Sequence, residues 1–224
     1  MFLWTDLLAL TLHPFRALPE IDRRRHPAHG ALALGLSVLV PAILAELAAL
    51  GPYRPPASLG SLPSLSAQGL DIYARWVYQH RFRVPVVTLL GSLLLWIVAG
   101  LVIHAGARAL HGRGDLMNFL KLIGFVALVG LVATPVTVLD TVARLSSSGQ
   151  AQHSIDSLTG TLGLTIFVWQ NVLLVMAAQA HYGLSTGRAV TAVLGPIGCL
   201  LVLGLALLAL VVIAAALARP AGAL

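Results

Sequence analysis

Charged residues are scarce in this sequence. Asp, Glu, Lys and Arg make up 10% of its 224 residues, whereas soluble domains carry roughly a quarter. Hydrophobic residues make up 58% of the chain, and its mean hydropathy is +0.90. This balance excludes an ordinary soluble domain and indicates an integral membrane protein.

Cysteine is nearly absent, because Cys199 is the single one in the chain. A disulfide framework and a cysteine-based metal site are therefore excluded. Eight histidines are present, but their spacing contains no HExxH motif, and zinc needs three or four convergent ligands. We expect neither a metal site nor another cofactor.

Signatures of catalysis and of nucleic-acid binding are also missing. The sequence has no GxSxG motif and no glycine-rich phosphate loop, and no set of acid, base and nucleophile converges in it. The basic residues lie close to apolar runs rather than in a separate basic segment. These absences predict a protein that is not an enzyme and that has no nucleic-acid partner.

Five apolar runs are long enough to cross a bilayer, which takes about 20 residues of helix. They do not alternate polar and apolar residues as the strands of a membrane barrel do. The sequence therefore predicts an all-α fold, an integral membrane bundle of five transmembrane helices. The predicted spans are Ala31–Leu50, Val84–Ile103, Phe119–Leu139, Leu162–Ala180 and Ala192–Leu217.

Short interfacial helices are expected outside these spans. In the amino-terminal segment 1–30, Leu3, Leu7 and Leu10 share one helical face, while Asp6 and His13 share the opposite one. The outer loop 51–83 begins with a Pro- and Ser-rich stretch and continues with an amphipathic pattern over residues 69–82. Residues 31–217 thus form the membrane domain, and residues 218–224 form a short tail.

The distribution of Lys and Arg predicts the orientation of the chain. Eight of the fourteen fall in the amino-terminal segment, the loop and helix start after span two, and the loop after span four. Positive charge near membrane boundaries favours the cytoplasmic side. We therefore expect the amino terminus to lie on the cytoplasmic side of the membrane.

The stretch HAGARALHGRGDLMNFLKL connects spans two and three and carries three of the basic residues. If span two continues as a helix, its spacing of i, i+4 and i+7 places three side chains on one stripe. Gly112 and Gly114 end that helix, and Asp115 is well placed to cap span three. The stripe, together with the turn and the foot of span three, is predicted to contact anionic headgroups or to dock a partner; its residues are His104, Arg108, His111, Arg113 and Lys121.

Polar residues inside the spans are the other candidates, because each is costly in lipid unless it faces protein or water. Gln170 and Asn171 lie near the centre of span four and are expected to face the bundle interior, either as hydrogen-bonding glue or as the lining of a polar cavity. Glu46 is expected to reach headgroups at the outer end of span one. Asp140 and Arg144 are expected to pair at the outer end of span three.

Three segments, at residues 13–21, 104–136 and 169–190, carry a family resemblance. Together they resemble the Yip family, the polytopic membrane proteins named for their interaction with Ypt/Rab GTPases. HPFRALPEI at residues 13–21 is similar to the family's opening before the first span. HAGARALHGRGDLMNFLKLIGFVALVGLVATPV at residues 104–136 is similar to its second-to-third span hairpin, with a proline late in the span. WQNVLLVMAAQAHYGLSTGRAV at residues 169–190 resembles its fourth span and the turn into the fifth.

The resemblance is to the short prokaryotic members of that family. It implies a five-helix bundle in the cytoplasmic (inner) membrane of a prokaryote, with the amino terminus inside the cell. It implies a non-enzymatic organiser or accessory subunit, with membrane lipids and a membrane-protein partner or a second copy as binding partners. The alternative reading is a component of a transporter or permease, whose polar path would run past Gln170 and Asn171.

Overall fold

The computed structural model describes residues 2–51, 72, 75–145, 149–196 and 198–199, and within these ranges the chain forms helices and turns without a strand. The helices are α1 (Phe2–Leu12), α2 (Pro14–Arg24), α3 (Pro27–Ala48), α4 (Val84–Ala109), α5 (Leu116–Leu128), α6 (Thr134–Leu145), α7 (Gly149–Tyr182) and α8 (186–196). A 3-10 helix, Val129–Ala133, joins α5 to α6. The predicted all-α class is confirmed.

Four helical stretches within the described ranges are long and apolar enough to cross a membrane. They are Pro27–Ala48, Val84–Ala109, Leu116–Ala143 and Leu158–Tyr182. The first four predicted spans lie on these stretches. The fifth predicted span, Ala192–Leu217, falls mostly outside the described residues, as do most of the outer loop and the tail 218–224. Of the predicted outer helix, residues 75–79 are helical.

The third span is not one uniform helix, because α5 gives way to the 3-10 segment before α6 begins. Pro135 is the second residue of α6 and has no amide hydrogen for the carbonyl of Leu131. A tighter 3-10 turn accommodates this missing bond. The result is a change in backbone hydrogen bonding near the middle of the span.

The starts of two spans are capped by side chains. The His26 ring accepts a hydrogen bond from the Ala28 amide, and the His29 ring accepts one from the His26 amide, which forms a capping box at the start of α3. Asp115 Oδ1 accepts from the Asn118 amide at 2.9 Å, so the predicted cap of the third span is confirmed.

Helices α3 and α5 cross with their backbones in close approach. A Cβ atom added to Gly30 would overlap the backbone of Lys121, and one added to Gly124 would overlap the Gly30 carbonyl. Small residues permit this approach, which drives helix packing in lipid, where apolar burial contributes little. The same crossing brings the beginning of α3 next to Lys121.

The amino-terminal helices pack against this bundle rather than standing apart from it. Helix α2 contacts α5 and α7, and α1 contacts α2, α5 and the 3-10 segment. Leu10 and Leu18 are fully buried, whereas His13 is exposed. Asp6 and His13, predicted to share a polar face, differ in exposure, because Asp6 is half-buried and paired with Arg25, its Oδ2 lying 2.9 Å from Arg25 Nε. A carboxylate next to the bundle is stable only with such a partner.

Candidate functional site

A cluster of charged side chains lies where α2 meets the ends of α5 and α7, and Asp22 is at its centre. Asp22 Oδ1 lies 3.4 Å from Lys121 Nζ, and Asp22 Oδ2 lies 3.0 Å from His181 Nδ1. Lys121 Nζ also donates to the main-chain carbonyl of Asp22 at 2.5 Å and to Asn118 Oδ1 at 3.0 Å. One carboxylate thus connects helix α2 to two membrane spans. We call Asp22, Asp115, Asn118, Lys121 and His181 the ion cluster.

The His181 ring has a hydrogen-bond acceptor at each nitrogen. Nδ1 faces the carboxylate of Asp22, and Nε2 lies 2.8 Å from the main-chain carbonyl oxygen of Asp115. Neither acceptor can donate, so both bonds form together only when the ring carries a proton on each nitrogen. The geometry therefore fits a positively charged His181, and the Asp22 carboxylate bridges two cations.

Two aspartates of the cluster lie outside the spans, and their surroundings favour the ionised form. Burial alone raises the pKa of Asp22, but the His181 hydrogen bond and the charges of His181 and Lys121 together lower that pKa below its usual range. The amide and side chain of Asn118 lower the pKa of Asp115. Both groups are therefore carboxylates at neutral pH.

The turn before the third span is fitted closely against the end of α7. A Cβ atom added to Gly112 would lie 2.9 Å from Tyr182 Cβ, and one added to Gly114 would overlap His181. The Arg113 amide donates to the Tyr182 carbonyl at 3.3 Å. The two glycines are thus needed less to break a helix than to let the turn lie on the His181–Tyr182 pair.

Aromatic packing encloses the cluster on its membrane side. Phe119 is fully buried, its ring stacks on His181 with 6.1 Å between centroids, and it lies 4.9 Å from the ring of Tyr182. The Tyr182 hydroxyl and His104 Nδ1 are 2.6 Å apart. His104 therefore points toward the neighbouring span and is half-buried.

The predicted stripe on a continued span two is wrong in its geometry. Helix α4 ends at Ala109, and His111 lies beyond it with φ +69°. The Gly112 amide bonds to the Ala107 carbonyl at 2.8 Å, and the His111 amide bonds to the Arg108 carbonyl at 3.0 Å. This pair is a Schellman motif with His111 at the left-handed position where glycine is usual. His111 and His104 therefore do not share a helical face.

Three residues of the predicted set do lie on the surface of the turn. Arg108 and Arg113 are exposed, as is His111, and Arg108 also donates to the Gly112 carbonyl at 3.2 Å. The prediction for Lys121 was wrong. It was expected to extend toward headgroups, but the residue is buried, with 2% exposed. Its ammonium group is held by the acceptors of Asp22 and Asn118, which offset the cost of burial.

The two central amides of the fourth span behave differently. Gln170 faces its neighbour and donates to the Ala127 carbonyl at 3.2 Å and, at the distance limit, to the Val126 carbonyl at 3.5 Å. Asn171, expected to face the interior as well, donates instead to the Phe167 carbonyl of its own helix at 2.9 Å. Gln170 thus joins α7 to the junction of α5 with the 3-10 segment.

A groove of about 380 Å³ lies beside Gln170, between α3, α4, α5 and α7. Its polar lining includes Ser37, Thr88 and Ser92, whereas most of its wall is apolar. Because the Gln170 amide is bonded to main-chain carbonyls, it serves helix packing here. This arrangement does not favour a polar transport path.

The remaining polar candidates lie near the far ends of their spans. Glu46 is half-buried in the last turns of α3, and Asp140 is half-buried in α6. The predicted Asp140–Arg144 pair cannot be followed, since the Arg144 side chain lies outside the described residues. Within the described part of the chain, no group of three or more His, Cys, Asp or Glu is arranged to hold a metal ion.

Sequence reasoning missed the centre of the cluster. Asp22 is one of the few acidic residues in an amino-terminal segment otherwise rich in arginine, and Asn118 lies one turn before Lys121. The usable signal was Lys121 itself, which follows Phe119 and Leu120 in the apolar run, since a lysine inside such a run needs either a path to the headgroups or a buried partner. That Asp22 is this partner depends on the docking of α2 against the bundle, which no local sequence pattern predicts.

Comparison with known proteins gives one match. A model of the Yip1 domain family matches residues 8–209, which covers all four described spans and most of the fifth predicted one. No curated protein and no solved structure matches the chain significantly.

Proposed function

The chain belongs to the Yip1 domain family, and from this premise we propose that this multi-pass membrane protein is a non-enzymatic organiser or accessory subunit. Its amino terminus lies inside the cell, in the cytoplasmic membrane of a prokaryote. Its binding partners are anionic lipid headgroups together with a membrane protein or a second copy of the chain.

The observation that carries this proposal is the ion cluster. Its charged groups are bonded to one another, so they hold α2 on the bundle rather than presenting reactive atoms to a substrate. Paired buried charges of this kind fix one arrangement of helices at some cost in stability. An arrangement built to keep a surface in place fits a scaffold better than a catalyst.

The surface that this cluster holds in place is basic. Arg108 and Arg113 are exposed on the turn, and the same turn is fixed by the contacts of Gly114 and of the Arg113 amide with the end of α7. Such a rigid basic turn at headgroup depth suits anionic lipids, and it equally suits an acidic surface of a partner protein.

Site-specific photo-crosslinking in native membranes tests the proposal. A photoreactive residue replaces Arg113 at the turn, and a matched one replaces Leu94, which is exposed on the apolar side of α4. We expect a discrete protein adduct from position 113, identified by mass spectrometry as a partner or a second copy, and lipid adducts from position 94. Absence of any protein adduct from position 113 would contradict the accessory-subunit role.

A further inference from the structure

Helix α1 is apolar on two faces, of which only one is covered by the bundle. Leu7 and Leu10 are buried in the core. Trp4, Leu8 and Leu12 are 66%, 56% and 66% exposed and follow one another at four-residue spacing. Because this spacing places three large apolar side chains on one helical face, α1 has an outward stripe that water would solvate poorly.

The position of α1 in the bundle indicates what covers this stripe. Helix α1 contacts α5 and the 3-10 segment that starts at Val129. Val129 lies eight residues beyond Lys121, which is about 12 Å farther into the membrane at 1.5 Å per residue. Lys121 itself marks the level of the charged end of α2. At least part of α1 therefore lies at the depth of the acyl chains.

The polar side chains of α1 have partners suited to that depth. Both carboxylate oxygens of Asp6 lie 2.9 Å from Arg25 nitrogens. The Thr11 hydroxyl donates to the Leu7 carbonyl at 2.8 Å. Only Oδ1 of Asp6 accepts a hydrogen bond from Arg25, whereas Oδ2 is held by the ion pair alone. Pairing with a cation inside the protein lowers the cost of placing this carboxylate near lipid.

The exposed side of helix α2 is charged, in contrast to the apolar stripe of α1, and we call this charged side the rim. The rim carries Arg16, Arg23 and the Glu20–Arg24 pair, whose closest atoms are 2.7 Å apart. Phe15, next to Arg16, is 80% exposed and adds one apolar side chain to this charged side of α2. Three arginines against one glutamate give the rim a net positive charge, which matches anionic headgroups next to an apolar interior.

We propose that α1 is a half-membrane helix, inserted in the leaflet on the amino-terminal side, with α2 at the level of the anionic headgroups of that leaflet. The length of α1 fits, because 11 residues measure about 16 Å and half of the hydrocarbon layer about 15 Å. The amino-terminal segment then widens the protein in one leaflet only. The proposal goes beyond the proposed function and does not depend on it.

Spin labels on the full-length protein test this placement. In a Cys199→Ser background, single cysteines replace Trp4, Leu8, Leu12 or Arg16, and the labelled protein is reconstituted in vesicles of phosphatidylcholine and phosphatidylglycerol. We expect labels at 4, 8 and 12 to collide with oxygen and to be protected from a water-soluble nickel complex. The label at 16 should show the reverse.

The depths of the labels separate the possible arrangements. For a half-membrane helix, the membrane depths of the labels at positions 4 and 12 differ by several ångströms, up to the 12 Å that eight helical residues span. Equal, shallow depths mean a helix lying in the plane of the interface and overturn the proposal. Nickel accessibility at position 8 equal to that at 16 also overturns it, and indicates that the stripe docks a protein. As a control for folding, each cysteine variant before labelling should have the same circular dichroism spectrum and the same gel-filtration elution volume as the Cys199→Ser protein.

Discussion

Lys121 donates a hydrogen bond to the main-chain carbonyl of Asp22, which is 99 residues earlier in the chain. This contact, together with the ion pair between the two side chains, joins the amino-terminal helices to the third span. Most membrane-embedded lysines extend toward headgroups, but this one is buried, so its neighbours have to compensate for its charge.

Replacing Lys121 by methionine tests that compensation. The change leaves Asp22 with His181 as its remaining cationic partner, and we expect a loss of about 1–3 kcal/mol in stability. That is less than the 3–5 kcal/mol of a fully buried pair, because Asp22 retains some exposure. Unfolding by denaturant in detergent measures it. The exposed Arg113→Gln is the matched control and should change stability by less than about 0.5 kcal/mol.

A double-mutant cycle separates the pair from the packing of the lysine stem. The double variant Lys121→Met, Asp22→Asn should lose less unfolding free energy than the sum of the losses of the two single variants. Additive losses would mean that the lysine acts through its aliphatic stem and not through its charge.

Acid should weaken the contribution of Asp22. Its pKa in the folded protein lies below the usual Asp value of about 3.9, so its stabilising effect is fully present above that value and is lost as the pH falls through the folded pKa. The comparison of wild type with Asp22→Asn starts at about pH 5, which is below the ordinary His pKa of about 6.5, because His181 pairs with Asp22 and its titration at higher pH would differ between the two proteins. From there we expect the stability difference to shrink as the pH falls below about 4. Asp115 is present in both proteins, so its titration cancels. A constant difference down to pH 3 would contradict the bridging role.

The crossing of α3 and α5 predicts a contrast between two glycines of one helix. Gly30→Ala places a methyl group on the backbone of Lys121 and should cost about 1–3 kcal/mol, since backbone cannot move aside as a side chain can. The methyl group of Gly35→Ala lies in open space, so this change should leave stability unaltered or raise it by up to about 1 kcal/mol through helix propensity. Thermal unfolding in detergent compares the two. Equal effects would show that the crossing is looser than the structure has it.

His111 provides a test in the stabilising direction. A non-glycine residue at a left-handed position carries a cost of about 1–2 kcal/mol, so His111→Gly should stabilise the turn by up to about 1 kcal/mol after the entropy of glycine is included. Arg113→Gly, in the same turn, is the control and should not stabilise. A destabilised His111→Gly would reveal a role for the ring that its exposure does not suggest.

The sequence allowed the spans to be predicted but not the site, for a physical reason. Apolar runs such as Val84–Ile103 are set by the thickness of the bilayer, which acts on every residue of a run independently of its neighbours. Asp115 as a cap was equally predictable, since its partner lies three residues away. The ion cluster depends instead on the docking of α2. His111 was predicted to be helical because Gly112 was taken as the residue that ends the helix, whereas α4 ends at Ala109.

Gln170 and Asn171 are adjacent, and the structure predicts opposite results for them. Gln170→Leu removes a donor to the carbonyls near the 3-10 segment, where the change of hydrogen-bond pattern leaves acceptor capacity open; we expect a loss of about 0.6–1.7 kcal/mol. Asn171→Leu removes only a bond to the Phe167 carbonyl, which the helix already satisfies, and should be neutral within about 0.5 kcal/mol. Unfolding of both variants in one detergent measures the difference. If Asn171→Leu is the costlier change, its amide faces a neighbour in the membrane, and the surface of α7 that carries it is an interface between subunits.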